Sequence, residues 1–192
     1  MAKKSKLLKL PYAARSDEGK IRTQWKKLTG LHERNEPSAA IVRAATAAEL
    51  SINLAIRAEF AAQSELTPAT IDAIMKKANG LWGKMAGLLL PLVIARPNEA
   101  AIKKLCGASE QINKNRNDIV HSGKFSNRTD ALKAIEGCRK FINSLVQLYE
   151  SDFKLDSLSP DALEEAVPET EPEPEVKAKP KAKRRKISDP KR

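Results

Sequence analysis

Two side chains in this sequence are of the type that titrates near neutral pH, His32 and His121, so acid–base chemistry at pH 7 has very few candidates. His121 has the more telling surroundings. Arg116-Asn117 precede it within one predicted helix, and Ser122-Gly123 follow at that helix's predicted end. A protonated imidazole at a helix C-terminus is favoured by the macrodipole by roughly 0.3–1 kcal/mol when exposed, which holds His121 ready as a general acid. Asn117 and His121 are four positions apart and share a face, whereas Arg116 is displaced from His121 by about 140° around a regular helix. That offset leaves two expectations open. Either the helix loosens near Val120, or Arg116 and His121 meet across two protomers of a symmetric pair.

Other chemistries lack their residues. Clustered carboxylates for a metal-dependent nuclease are missing, and so is a glycine-rich phosphate loop: Gly80-Leu-Trp-Gly-Lys-Met85 lacks the required spacing. Neither G-x-S-x-G nor H-E-x-x-H occurs. Cys106 and Cys138 are the only cysteines, and they form no C-x-x-C or Cys/His ligand cluster. They read as small core hydrophobes in a reducing compartment. No metal and no cofactor is expected. No continuous apolar segment reaches the roughly 18 residues of a membrane span, and the N-terminal Met-Ala-Lys-Lys-Ser-Lys stretch is not followed by a signal-peptide core. The expectation is a soluble cytoplasmic protein.

The elements that would position the site are helical. Pro37 suits a first helical position, and Ile41, Ala45, Ala48, Ile52, Ala55 and Ile56 then recur every three or four residues through an alanine-rich run ending near Ala62. Small flanking alanines allow close approach, so this is the expected central helix. A shorter helix over Asp17 to Leu31 would carry Trp25 and Leu28 on one side. Thr67-Pro68 starts another, closed by Asn79-Gly80. The apolar segment Leu81 to Ile94 reads as helix weakened by Gly83, Gly87 and Pro91. Pro97-Asn98-Glu99 opens the helix that carries Arg116 and His121, and Gly123 terminates it. Ser126 is the expected cap of a last helix with Ala131, Ile135, Cys138, Phe141, Ile142, Leu145, Leu148 and Tyr149 on its apolar stripe. No strand pattern appears. The fold class is all-α, an antiparallel bundle of four to six helices over residues 16–153.

The ends differ in composition. Residues 1–15 read as a flexible basic arm, and after Phe153 the chain turns acidic and then basic, with a charge of −8 over 152–176 and +8 over 177–192. Pro168, Pro172, Pro174 and Pro180 oppose helix there, so 154–192 is expected to be a disordered tail. Lys181, Lys183, Arg184, Arg185 and Lys186 are candidate contacts for phosphate backbones; a purely solubilising tail is the alternative. In a eukaryotic host the same cluster would suit nuclear import.

The alanine-rich helix, followed by a later helix ending Asn115-Arg116-Asn117-Asp118-Ile119-Val120-His121-Ser122-Gly123, resembles the HEPN superfamily over about residues 37–150. That family carries an Arg followed by a polar residue, with a His four to six positions after the Arg; Arg116, Asn117 and His121 fit. The resemblance implies metal-independent endoribonuclease action, in a toxin–antitoxin or antiphage setting, on an RNA partner, with a homodimer and a cognate antitoxin or regulatory protein as further partners. Where the toxin subgroup usually has Tyr two residues after the His, this sequence has Gly123. Metal-free RNA cleavage needs proton movement and stabilisation of a five-coordinate phosphorane. Arg116 would stabilise that charge by forked hydrogen bonds, His121 would move the proton, and Asn117 would orient phosphate or imidazole. One histidine does not readily serve both proton transfers, which also favours two copies. Related folds serve as noncatalytic regulators too, so a binding or regulatory module that engages a protein or nucleic acid is the alternative function.

Among the remaining residues, Glu49, Asn53 and Arg57 form an i, i+4, i+8 polar line read as a solvated stripe rather than a site wall. His32, beside Glu33 and Arg34, reads as a surface histidine. Trp25 and Trp82 read as core or interface anchors, with base stacking by Trp25 as the alternative.

Overall fold

Every apolar position that the periodicity assigns to the central helix is buried. Ile41, Ala45, Ala48, Ile52, Ala55 and Ile56 are each 5% exposed or less on the helix Pro37–Gln63. In the computed structural model, which describes residues 11–158, this helix (α2) packs against α1 (Asp17–Glu33), α6 (Glu99–Ser122) and α7 (Arg128–Val146). Between them lie α3 (Pro68–Met75) and a broken helical segment made of α4 (Gly80–Lys84), a π-helical turn Met85–Leu89 and α5 (Leu90–Leu92). The fold is an all-α helical bundle, with no strand among the described residues.

Alanine at the contact positions of α2 lets neighbouring backbones come close, and the larger side chains come from the partners: Ile21, Trp25 and Leu28 from α1, Ile135, Phe141 and Ile142 from α7. Thr67 caps α3 by accepting the Thr70 N–H, as its position before Pro68 predicts. The π turn falls where Gly83, Gly87 and Pro91 weaken the segment, and it carries buried Met85 and Leu89 into the core. By length and composition α2 could also cross a membrane, a property that counting consecutive apolar residues missed because Arg43, Glu49 and Arg57 interrupt the run. However, 56% of its apolar window is buried inside the bundle.

Three expectations are corrected. Ser126 does not cap α7: Asn127 does, its side chain accepting the Asp130 N–H, while the Ser126 N–H donates to Ser38 Oγ at 3.0 Å. The line Glu49, Asn53, Arg57 is not a solvated stripe. Arg57 hydrogen-bonds Asp17 of α1 and Asp72 of α3, Glu49 pairs with Lys84, and Asn53 Oδ1 is shielded from solvent. His32 is no surface histidine, since only 3% of it is exposed and burial, followed by the nearby Arg128 charge, lowers its pKa from the ordinary histidine value. Its charged sequence neighbours Glu33, on another face of α1, and Arg34, just past the end of that helix, are exposed.

The packed chain also reaches beyond both expected edges. Arg15 Nη1 donates to Thr23 Oγ1, which ties Arg15 to α1. Residues 154–158, read as tail, return to the bundle: Leu155 is buried, Trp25 Nε1 donates to the Asp156 carbonyl, and Asn143 exchanges hydrogen bonds with Leu155. Trp25 is therefore a core anchor, whereas Trp82 stays partly exposed.

Candidate active site

The helix that carries the candidate residues is continuous from Glu99 to Ser122 and ends where Gly123 adopts a left-handed backbone, φ 64°. That conformation favours glycine, which has no Cβ to clash. The Lys124 N–H then turns back to the Asp118 carbonyl, fixing the chain just beyond His121. Ile102, Ser109 and Ile112 bury one face of α6 and so set its rotation. Arg116 and Asn117 consequently lie half-buried at the rim, and His121 is exposed.

Within this one chain the three predicted residues meet. Arg116 Nη1 lies 2.9 Å from Asn117 Oδ1 and 3.1 Å from His121 Nε2. The helix neither loosens at Val120 nor needs a second protomer to bring them together, which overturns both alternatives posed by the angular offset. The reason is side-chain length: a guanidinium on a flexible three-methylene stem reaches around the helix surface, so the direction of Cα–Cβ does not fix where its fork ends. The part of the homodimer expectation that rested on this angle loses its support.

The hydrogen bonding has a defined sense. A guanidinium only donates, so Asn117 Oδ1 and His121 Nε2 are its two acceptors. An imidazole that accepts at Nε2 is the neutral ring with its proton on Nδ1. The site thus holds a cation ready for an oxyanion and a proton acceptor whose lone pair is already directed.

Two hollows lie along α6, and Arg116 borders one of them. One, of about 90 Å3, lies on the α2 side of Arg116 and is walled by Ala45, Glu49, Leu81 and Asn113. Another, of about 220 Å3, lies where α6 and the loop after it meet α2 and α7, bordered by Ile41, Asp118, Lys124, Phe125 and Ala134; none of Arg116, Asn117 and His121 lines it. Val120, next to His121 in the chain, is 45% exposed, and Phe125, on the loop after α6, is 92% exposed.

Comparison of the chain with protein-family models, with curated proteins and with solved structures finds no match. Function must therefore be argued from the site itself.

Among the described residues, no three His, Cys, Asp or Glu side chains are grouped as a metal site requires. Cys138 is buried, and that burial raises its thiol pKa to about 12, far from a reactive thiolate. Cys106 is also shifted upward by burial. Lys181, Lys183, Arg184, Arg185 and Lys186 lie outside the described residues. Sequence reading missed the ion pair of Lys84 Nζ with Glu49 Oε1, 2.6 Å apart, which borders the smaller hollow. Its signal was faint: Glu49 lies on the polar line of α2, and nothing local to Lys84 marks a partner 35 positions away.

Proposed function

We propose that this protein is a metal-independent endoribonuclease of the HEPN type. The observation that carries the reading is the fork of Arg116 Nη1 between Asn117 Oδ1 and His121 Nε2. It supports the motif resemblance, because the guanidinium, the amide and the imidazole that the motif names lie within hydrogen-bond distance of one another in a single chain.

In the reaction, a scissile phosphate competes for the Arg116 guanidinium and draws it from His121, freeing Nε2. The imidazole takes the proton of the ribose 2′-hydroxyl as that oxygen attacks phosphorus. Arg116 stabilises the charge gathering on the non-bridging oxygens, and Asn117 limits the swing of the guanidinium. The bond from phosphorus to the 5′-oxygen breaks, that oxygen takes a proton from water or from His121 of a second copy, and the products are a 2′,3′-cyclic phosphate and a 5′-hydroxyl.

Purified protein in EDTA should cut single-stranded RNA and leave DNA, which lacks the attacking hydroxyl, intact. His121→Ala should abolish the cut while circular dichroism and sedimentation remain those of the wild type. Undiminished cleavage by that variant would refute the assignment. A second reading, a noncatalytic binding module, is favoured by Phe125, a large apolar side chain exposed on the loop after α6. RNA left intact by wild type, together with a stoichiometric complex that Phe125→Ala disrupts, would select it.

A further inference from the structure

The hollow behind Arg116 has chemistry unlike that of a phosphate site. Its lining includes Glu49, whose negative charge would repel a phosphate group, and Asn113. Lys84 Nζ holds Glu49 Oε1 at 2.6 Å, and no hydrogen-bond partner is present for Glu49 Oε2 or the Asn113 amide among the described residues. Ala45 and Leu81 supply flat apolar surface. Gly80 also lines the hollow, and its φ of 65° is a backbone conformation that favours glycine. The volume, about 90 Å3, is that of roughly three waters and admits the edge of a ring rather than a whole nucleotide.

We propose that this hollow, walled by Glu49 and Asn113 and bordered by Arg116, receives the hydrogen-bonding edge of an unstacked nucleobase, guanine above the others. The inference rests on the endoribonuclease reading for its substrate class. Guanine presents two adjacent N–H donors on its Watson–Crick edge, and a carboxylate is their natural acceptor. Uracil presents one donor between two carbonyl oxygens, which would face the carboxylate unfavourably. Lys84 keeps the Glu49 carboxylate in place by charge and hydrogen bonding at Oε1, leaving Oε2 for the base. Arg116 borders both this hollow and His121, so a base seated here would lie next to the phosphate on which the guanidinium acts. Glu49 is then a specificity-determining residue, and Lys84 a positioning residue.

The test uses the full chain and uncleavable 2′-O-methyl oligouridine hexamers in which one central base is U, C, A or G. Fluorescence anisotropy should show the G hexamer binding about tenfold more tightly than the U hexamer, the scale of one charge-assisted hydrogen bond to a base edge. Glu49→Gln should bring the two within about twofold, as should Asn113→Ala, while Lys84→Met, which keeps the carboxylate but removes the group that holds it, should lower the preference to about threefold. Melting temperatures of all variants report folding, and two independent wall substitutions keep the result readable if one destabilises the bundle. Equal binding of the four hexamers, no binding of any, or a guanine preference that survives both wall substitutions would overturn the subsite. Glu49-dependent guanine binding by a protein that cuts no RNA would keep the subsite and remove the nuclease. Cutting that requires His121 without base preference would do the reverse.

Discussion

Arg116 Nη1 and His121 Nε2 lie 3.1 Å apart although five positions of an unbroken helix separate the residues. Because the guanidinium can only donate, this contact exists only while Nε2 carries a lone pair. The contact therefore predicts the Nδ1–H tautomer for the resting site. Imidazole nitrogen shifts recorded at alkaline pH should show the His121 proton on Nδ1. Arg116→Met should restore the ordinary preference of a free ring for Nε2–H, with little change in the amide spectrum beyond the end of α6. A dominant Nε2–H form in wild type would remove the paired resting state and, with it, the idea that phosphate must displace Arg116 before His121 can act.

His32 predicts a pH dependence of stability. Burial first, and then the Arg128 charge, place its folded pKa below the ordinary 6.5, while Glu33 acts weakly in the other direction. The unfolded ring therefore binds its proton at a higher pH than the folded one. The neutral ring's contribution is complete above pH 6.5 and is lost as pH falls through the lowered folded value. Urea midpoints measured from pH 7.5 to 5 should fall more steeply for wild type than for His32→Leu, which fills similar space and takes up no proton. Parallel curves would mean that another group controls acid sensitivity.

The core of this fold was legible because periodicity reports burial directly. Ile41 to Ile56 on α2 and Ala131 to Leu145 on α7 repeat at helical spacing and are buried as that spacing requires. What could not be read was anything decided by side-chain reach or by tertiary neighbours. The order of Arg116, Asn117 and His121 identifies the candidate site, but the angular argument treated arginine as a short vector and so misjudged how it meets the imidazole. Glu49 and Lys84 are 35 positions apart, and neither residue's local sequence carries information about the other. The failure at His32 is of the same kind: its polar neighbours predict solvent, whereas the burial comes from how the end of α1 packs in the bundle.

The start of α7 separates two neighbouring cap candidates. Asn127 Oδ1 accepts the Asp130 N–H at 2.8 Å, whereas Ser126 contributes its own N–H to Ser38 Oγ. Asn127→Ala should cost about 1 kcal/mol, the usual worth of an N-cap, because a helix N–H would lose its acceptor. Ser126→Ala should cost less, since the backbone donor to Ser38 survives the substitution. Chemical denaturation of the two variants tests the order, and a larger loss from Ser126→Ala would return the cap to serine.

The last described segment supplies a test of where the folded unit ends. Leu155 is 3% exposed, and its backbone ties Asn143 and Arg139 of α7, while the Asp156 carbonyl accepts from Trp25 of α1. A chain ending at Leu158 keeps all of these contacts and should melt like the full protein. A chain ending at Phe153 loses the burial of one leucine together with several hydrogen bonds, and should be less stable by about 2–4 kcal/mol. The chain ending at Leu158 also lacks Lys181, Lys183, Arg184, Arg185 and Lys186. If those residues tether phosphate backbones, removing them should weaken nonspecific RNA binding strongly at low salt and little at high salt, because the lost affinity is counterion release. Binding by the shorter chain that stays as tight as that of the full protein at low salt would leave the basic run without that role. A wild-type melting temperature for the chain ending at Phe153 would likewise show that Leu155 and Asp156 contribute nothing to holding α1 and α7 together.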